Sequence, residues 1–252
     1  MLQQTQVARV VPRYAAFLER FPTPAACAAI PAGEVVTMWA GLGYNRRAVN
    51  LHRCAVAVVE QHQGTLPDDL ASLLALPGIG PYTARAVLAF AHGRDVGVVD
   101  VNAARVLARV QGRSLRAREA QAAADAAVPP GQGWLWNQSM LDLGATVCVS
   151  RRPRCEQCPV AGGCAWHMAG RPDPDPAVGS AGVSGRQSAF EGSYRQGRGR
   201  LVDALRRDGL VPREGLGDAA GWPDDPSRAR DAAESLVRDG LARWHGESLV
   251  LP

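Results

Sequence analysis

Four cysteines in the second half of the chain lie close enough in sequence to enclose one metal centre. Their spacing is Cys-x6-Cys-x2-Cys-x5-Cys, formed by Cys148, Cys155, Cys158 and Cys164. Thiolates spaced in this way can bind one iron–sulfur cluster or one zinc ion. Zinc is the usual occupant of clustered cysteines, but zinc sites commonly contain two Cys-x2-Cys pairs and this stretch contains one. The remaining cysteines, Cys27 and Cys54, lie alone in apolar segments, and we expect both to be buried.

An aspartate at the start of a predicted helix is a second candidate for chemistry. Asp100 follows Gly-Val-Val and precedes a segment in which Val106, Leu107 and Val110 share one helical face. The free N–H groups and the dipole at the start of a helix stabilise a carboxylate charge in this position. An ordinary helix cap has the same pattern, so Asp100 alone does not distinguish catalysis from capping.

A glycine-rich turn lies upstream of that aspartate. The segment Leu76-Pro-Gly-Ile-Gly-Pro joins two predicted helices, and Gly78 and Gly80 allow a tight hairpin because glycine reaches positive φ without steric cost. The free N–H groups at the start of the second helix suit a phosphate oxygen. The alternative is an ordinary packing unit of two helices.

Two further groups of residues near the N-terminus could contact nucleic acid. Gln3, Gln4, Thr5 and Gln6 form a dense amide and hydroxyl cluster, which a solvated helix face would also explain. Tyr44 follows the Gly-Leu-Gly turn and precedes Arg46 and Arg47. An aromatic ring beside arginines could stack on bases or wedge between them, although a buried loop tyrosine is an equal alternative.

The elements around these candidates are predicted to be mainly helical. Apolar residues recur at helical spacing through the first two thirds of the chain, and the first amphipathic helix is expected to be under way already at residue 1. Residues 170–189 are rich in Gly, Pro, Ser and Asp, which predicts a flexible linker. Residues 190–252 then show three helical segments and a short hairpin, the pattern of a winged-helix-like module that could bind DNA, bind a partner or pack on the first domain.

Composition limits the function classes. All 28 basic residues are arginine, so no side-chain Schiff base can form. Residues 1–169 hold 16 arginines against 11 acidic residues, an excess that fits a polyanionic partner. No apolar run approaches the ~20 residues of a membrane span, and the N-terminus lacks a signal-peptide pattern. We therefore expect a cytoplasmic, nucleoid-associated protein without a membrane partner.

Taken together, these motifs resemble the adenine DNA glycosylase family of the helix-hairpin-helix superfamily, which also includes endonuclease III. The resemblance covers residues 1 to about 168 and rests on six stretches: Met1-Leu-Gln-Gln-Thr-Gln-Val, Gly41-Leu-Gly-Tyr, Leu76-Pro-Gly-Ile-Gly-Pro-Tyr-Thr-Ala, Asp100-Val-Asn, Asn137-Gln-Ser-Met-Leu-Asp-Leu-Gly-Ala and the four cysteines. It implies an all-α glycosylase domain over residues 1–169 with a [4Fe-4S] loop at 148–164. The C-terminal module does not resemble the Nudix-like 8-oxoguanine reader that is usual in the family.

The resemblance also implies a reaction and a role for each candidate. The implied substrate is double-stranded DNA in which adenine is mispaired with 8-oxoguanine or guanine, and the implied enzyme is a monomer that flips the adenine out and hydrolyses its N-glycosidic bond. Asp100 would stabilise the sugar cation or bond to it transiently, Asn102 would position Asp100, and Tyr82 stands where bifunctional relatives carry a lyase lysine. The residues implied in DNA contact are Gln3, Gln4, Tyr44, Leu76, Gly78, Gly80, Arg151 and Arg152, with a monovalent cation possible at the hairpin.

One departure from the family pattern leaves two other functions open. The family's general acid is a glutamate two residues before the methionine of Met-Leu-Gln-Gln, and here that methionine is Met1. Glu19 is about five helical turns away at ~5.4 Å per turn, too far to replace it. A non-catalytic protein that binds mismatches or lesions would keep every other feature. An endonuclease III-type lyase is less compatible, because it needs a lysine in place of Tyr82.

The absence of lysine predicts that the protein has no β-lyase activity. Borohydride should trap no covalent adduct with abasic DNA through a side-chain amine, because the chain has none. Gel separation of borohydride-treated complexes measures this directly. An adduct that maps anywhere other than the N-terminal amine would contradict the monofunctional assignment.

The position of the family's glutamate predicts that the chain read from Met1 keeps its binding of mispaired DNA but loses most of its excision activity. The chain read from Met1 is expected to bind a duplex with adenine opposite 8-oxoguanine, but to excise adenine about 10²–10⁴-fold more slowly than a form extended upstream to include the glutamate, the usual cost of a lost general acid. Single-turnover cleavage of one labelled duplex compares the two. Equal rates would show that the acid has been placed wrongly.

Overall fold

The computed structural model describes residues 1–2, 5–181 and 189–252, so the expectations for Gln3, Gln4 and residues 182–188 lie outside the described residues. The described chain forms two compact units. One contains residues 1–67, 76–78 and 189–252, and the other contains residues 68–75 and 79–181. No helix in these described segments is both long and apolar enough to cross a membrane.

The chain is predominantly helical, as the sequence predicts. In chain order its α-helices are α1 (Val7–Arg20), α2 (Pro24–Ala28), α3 (Ala32–Met38), α4 (Arg46–His62), α5 (Leu70–Ala75), α6 (Pro81–Phe90), α7 (Val101–Gln111), α8 (Ala117–Ala127), α9 (Gly133–Thr146), α10 (Ala165–Met168), α11 (Tyr194–Asp208), α12 (Leu216–Ala220) and α13 (Pro226–Arg238). Its strands are β1 (Leu210–Pro212), β2 (Arg243–His245) and β3 (Ser248–Val250). Short 3₁₀ turns at Cys155–Gln157, Ala161–Gly163 and Arg213–Gly215 complete the regular structure.

The first helix starts later than the sequence predicts. Gln6 has extended backbone angles and precedes α1, so the expectation of a helix under way at residue 1 is wrong. The backbone before the helix bonds to a different part of the chain. Arg47 donates a hydrogen bond of 3.0 Å to the carbonyl of Met1. The Thr5 hydroxyl likewise donates to the Leu42 carbonyl at 3.0 Å. These contacts replace the hydrogen bonds that an additional helical turn would make.

The C-terminal segment has the winged-helix-like arrangement that the sequence predicts. The order is α11, β1, α12, α13, β2, β3, and the three strands form an antiparallel sheet in the order β1-β3-β2. Leu249 occupies the centre of this sheet opposite Val211 and Trp244, and it is completely buried. Caps from Ser193 to α11 and from Asp225 to α13 satisfy N–H groups at the helix starts.

The C-terminal module and the first four helices share one hydrophobic core. The buried residues of this core include Val35, Val36, Trp39 and Ala48 from the N-terminal helices and Leu201, Leu205, Leu236 and Leu249 from the module. Gly33 donates to the carbonyl of Pro252 at 2.9 Å, and a Cβ at Gly33 would lie 2.6 Å from that oxygen, so a larger residue would displace the C-terminus. Residues 189–252 are therefore packed as part of the first unit.

Part of the expected linker makes specific contacts with the second unit. Ser114 donates to the carbonyls of Pro176 and Val178 at 3.0 and 2.9 Å, and Ala181 donates to the carbonyl of Leu115 at 2.9 Å. Ala177 is buried. Composition predicts a free linker here because the segment lacks apolar periodicity, but its polar backbone is held by specific partners in the second unit.

Candidate active site

Asp100 caps helix α7 through three N–H donors. Its Oδ1 accepts from the backbone N–H groups of Asn102 at 2.8 Å and Ala103 at 2.7 Å. Its Oδ2 accepts from Nδ2 of Asn102 at 2.7 Å. These bonds fix the orientation of the carboxylate and hold its charge at the positive end of the helix. The predicted neighbours Asp100 and Asn102 are thus in direct contact.

A buried arginine continues the hydrogen bonds from Asp100 toward the cysteine loop. Nη2 of Arg105 donates to Oδ1 of Asn102 at 2.8 Å and to the carbonyl of Gly144 at 2.7 Å, and its Nε donates to the carbonyl of Cys148 at 2.8 Å. A Cβ at Gly144 would lie 2.7 Å from that of Asn102, so the close approach of α9 to α7 requires glycine. The carboxylate is therefore linked to the first cysteine of the loop through two side chains.

The segment before Asp100 is held by an amide side chain of helix α9. Asn137 is buried, accepts from the Val98 N–H at 2.7 Å and donates to the Val96 carbonyl at 2.8 Å. The Gly97 N–H donates to Asp125 at 2.9 Å, and a Cβ at Gly97 would lie 2.7 Å from the backbone of Ala124. Asn137 thus fixes the extended segment, residues 96–98, that leads to Asp100.

Tyr82 lies at the start of α6, and its pKa is affected by burial and by the charge of Asp100. Burial raises the pKa of the Tyr82 phenol, and the Asp100 carboxylate raises it further. The phenol therefore stays protonated at neutral pH and can act as a hydrogen-bond donor but not as an anion. Asp100 and Asn102 are in direct contact, and Tyr82 lies in the same unit, near enough for the Asp100 carboxylate to raise the pKa of its phenol.

The hairpin before α6 exposes the start of that helix. Gly78 has a φ of 77°, and a Cβ there would lie 2.5 Å from the side chain of Asn50, so the turn requires glycine. Gly80 is the N-terminal cap of α6, and nothing lies within 4 Å of the position of a Cβ on it. Leu76 is buried beneath the turn. The geometry leaves backbone N–H groups accessible to an anion.

Tyr44 lies in the first unit on a strained turn. Its φ is 48°, a region that non-glycine residues rarely adopt, and its side chain is 52% exposed. Arg47 lies over both the Tyr44 and Trp39 rings and donates to the Leu42 carbonyl at 3.0 Å. Nε1 of Trp39 donates to the Gly43 carbonyl at 3.1 Å. Arg47 and Trp39 thus hold the backbone of the turn, and more than half of Tyr44 is exposed.

The four cysteines line one cavity beneath helix α7. Val106, Val110, Leu143 and Trp166 supply part of its apolar wall. All four thiols are free of disulfides. Thiols that line one cavity are the ligand type that an iron–sulfur cluster or a zinc ion takes. The exposed Arg151 and Arg152 lie in the loop between Cys148 and Cys155.

A second buried arginine, which the sequence did not identify, holds this loop. Arg109 is 1% exposed and donates to Sγ of Cys148 at 3.3 Å and to the Val149 carbonyl at 2.8 Å. Nη2 pairs with Asp175 at 2.6 Å, and the guanidinium lies over the Trp166 ring. Burial alone would raise the pKa of Asp175, but hydrogen bonds from Arg109 and the Ala177 N–H lower it. The sequence does contain a signal for these buried arginines. Arg105 and Arg109 lie four residues apart on a mainly apolar helix, so they share one helical face.

Comparisons with known proteins agree with this geometry. Residues 1–130 match the family described as HhH-GPD superfamily base excision DNA repair protein, and residues 148–164 match the iron-sulfur binding domain of endonuclease III. An adenine DNA glycosylase of Mycolicibacterium smegmatis is 41% identical over 96% of the chain and 80% of its own length. One of Mycobacterium tuberculosis is 40% identical over 96% of the chain and 79% of its own length. The chain belongs to the adenine DNA glycosylase family. A solved thermostable thymine-DNA glycosylase shares 28% identity with a TM-score of 0.63, covering 67% of the chain and 80% of that protein.

Membership in the adenine DNA glycosylases settles the class of reaction. The protein is a base-excision-repair glycosylase, a DNA-binding hydrolase of N-glycosidic bonds, and it carries an iron–sulfur cofactor. The cysteine loop is connected to the Asp100 site through Arg105, which bonds to Asn102 and to the Cys148 carbonyl. The fold of the loop and the position of Asp100 therefore depend on each other.

The pair of Arg109 and Asp175 predicts how firmly this glycosylase retains its cluster. Asp175→Asn removes the carboxylate and leaves a buried guanidinium without its counter-charge, a change that typically costs about 3–5 kcal/mol. We expect the absorbance near ~400 nm to decay at least about tenfold faster in the presence of an iron chelator. Glu119→Gln is the matched control, because it breaks an exposed ion pair with Arg113. Equal decay rates in the two variants would contradict the assigned role.

Proposed function

We propose that this glycosylase removes adenine mispaired with 8-oxoguanine or guanine from double-stranded DNA, without a lyase step. The observation that carries the proposal is the Asp100 carboxylate, fixed at the start of α7 by three N–H donors. It occurs in a chain about 40% identical to named adenine DNA glycosylases. The protein acts as a monomer, in the compartment that holds the chromosomal DNA.

The chemistry follows from where the charge develops. When the bond between C1′ and the adenine nitrogen breaks, its electron pair leaves with adenine, which takes a proton from a general acid, and the sugar becomes cationic. Asp100 stabilises that cation electrostatically because its charge is already oriented. Asn102 keeps the carboxylate in place, and the neutral Tyr82 adds a donor beside it. Water then supplies the hydroxyl at C1′, which leaves an abasic site. The water that attacks C1′ gives up one proton, which replaces the proton that the acid donated. Adenine must be flipped out of the stack for Asp100 to reach the sugar.

The DNA contacts are assigned to the Tyr44 turn, the hairpin, the cysteine loop and the two N-terminal glutamines. Leu76 is only 3% exposed, so its side chain supports the hairpin from inside and does not face the duplex. The exposed Tyr44 stacks on or wedges between bases, as its strained turn and the arginine beneath it support. The hairpin over Leu76, Gly78 and Gly80 receives a backbone phosphate, with a monovalent cation at its carbonyls. Arg151 and Arg152 approach phosphates from the cysteine loop. Gln3 and Gln4, which lie outside the described residues, contact the bases.

The four cysteines are proposed as the ligands of a [4Fe-4S] cluster. The common cavity beneath α7 and the absence of disulfides support this set of Cys148, Cys155, Cys158 and Cys164. Arg109 donates toward Sγ of Cys148, which suits a sulfur that carries negative charge as a ligand. Arg105 and Arg109 hold the loop from the α7 side.

Neither of the other two functions gains support. The relatives are named as glycosylases, which does not favour a mismatch-binding protein without activity. An endonuclease III-type lyase would need an amine nucleophile, and the chain contains no lysine.

Replacing the proposed catalytic carboxylate tests the function directly. Asp100→Asn keeps the shape of the cap but removes the charge, so single-turnover excision of adenine opposite 8-oxoguanine should fall by about 10³-fold or more, the scale of lost transition-state stabilisation. Binding of the same duplex should change by no more than a few-fold. Of the chain read from Met1 and the form extended upstream, the one that excises adenine faster is used for this test.

The matched control for this experiment is Asp231→Asn, which changes an exposed acid on α13. It should excise and bind like the unmodified protein. Excision that survives Asp100→Asn would refute the role of Asp100. Specific binding without cleavage by any form would favour the non-catalytic function.

A further inference from the structure

The C-terminal module reaches the turn that carries Tyr44 through one buried arginine of α11. Nη2 of Arg206 donates to the Val36 carbonyl at 2.7 Å and to Oδ1 of Asn45 at 2.8 Å, and its Nε donates to the same carbonyl at 3.0 Å. The side chain is only 9% exposed. Asn45 directly follows Tyr44 and occupies the N-cap position of helix α4. One planar group therefore ties the end of α3 to the residue next to the strained tyrosine.

A second contact joins the module to the next residue along the chain, Arg46. Asp239, just after α13, pairs with Arg198 of α11 at 2.5 Å and with Arg46 at 3.4 Å. Arg46 is the first residue of α4. The two residues that follow Tyr44 are therefore both bonded to the module. A tyrosine with φ of 48° keeps that conformation only where the surrounding structure fixes it.

The charges of the module fit an internal role better than a separate DNA-binding role. Residues 190–252 hold 10 arginines against 11 acidic residues, so the module lacks the basic excess that a DNA-binding surface needs. Several of its arginines are engaged with acidic partners, including Arg198 with Asp239 and Arg213 with Glu247. Its apolar residues continue the core of the N-terminal helices.

We propose that the C-terminal module is a brace for the Tyr44 turn, and that Arg206 is its positioning residue. The proposal rests on the proposed function in one respect, namely that Tyr44 contacts DNA. Arg206 itself touches no substrate. By holding Asn45 and the end of α3, it keeps the turn preformed, so that less ordering is needed when the duplex is opened. The module thereby contributes to recognition of the mispair without contacting it.

Amide hydrogen exchange in the free protein tests the structural half of the proposal. Arg206→Met should speed exchange of the amides of residues 41–47 by about tenfold, the scale for one lost charge-assisted hydrogen bond. Asn45→Ala removes only the acceptor, leaves the module intact, and should act in the same direction. The matched control is Arg207→Met, since Arg207 is the next residue of α11 and its side chain is 71% exposed. Exchange equal to that of the control in both variants would overturn the brace.

A double-mutant cycle with Tyr44→Ala tests whether Arg206 acts through the turn. Arg206→Met should weaken binding of a duplex with adenine opposite 8-oxoguanine by about tenfold when Tyr44 is present. It should have little further effect when Tyr44 is alanine. Equal losses in both backgrounds would overturn the proposal, because the arginine would then act on overall stability.

The outcomes also separate the brace from the proposed function. If the unmodified protein does not prefer the mispaired duplex, the proposed function fails, while the exchange experiment still decides whether the brace exists. If the preference is present and Arg206→Met leaves both exchange and binding unchanged, the brace alone is overturned.

Discussion

Helix α7 buries two positive charges, and the second unit is organised around satisfying them. A buried guanidinium is costly unless donors find acceptors and the charge finds a partner. Arg105 and Arg109 obtain these from the carbonyls of Gly144, Cys148, Val149 and Ser150 and from Asp175. The cysteine loop and the segment after it are thereby drawn onto one helix. The same helix begins at Asp100, so the proposed catalytic charge and the metal-binding loop share a single rigid support.

In the first unit, two other arginines are hydrogen-bonded around the strained turn that carries Tyr44. Arg47 donates to carbonyls on the N-terminal segment and on the turn, and Arg206 donates to the end of α3 and to Asn45. The turn is therefore bonded on both sides, by parts of the chain that are distant in sequence. This arrangement explains why the C-terminal module shares a core with the first four helices instead of forming a separate lobe. A free module would leave Arg206 without its carbonyl partners.

Local signals were sufficient to predict the elements that carry the site. The cap at Asp100 and the positive φ of Gly78 follow from short-range geometry and are where the sequence indicates, and the four cysteines line one cavity. Gly80 differs from the expectation, because its φ is −98° and it serves as the N-cap of α6. Amphipathic periodicity predicts too early a start for α1, because residues before Val7 make other contacts. The Met1 carbonyl accepts from Arg47, and the Thr5 hydroxyl donates to the Leu42 carbonyl. Composition predicts a linker over residues 170–189 and cannot reveal the contacts of residues 175–181, because their partners Ser114, Leu115 and Arg109 lie about 60 residues earlier. Long-range polar contacts of this kind leave no periodic pattern.

The buried arginines could not have been replaced by lysines at the same positions. An arginine presents five donors in a plane, whereas a lysine presents three around a point and is more strongly hydrated. Arg105 bonds to an amide oxygen and two carbonyls that lie in different directions, and Arg109 also stacks on Trp166. Arg206 spans Val36 and Asn45 with one fork. In a chain without lysine, planar cations connect segments far apart in sequence beside Asp100 and Tyr44, the residues proposed to act on the substrate.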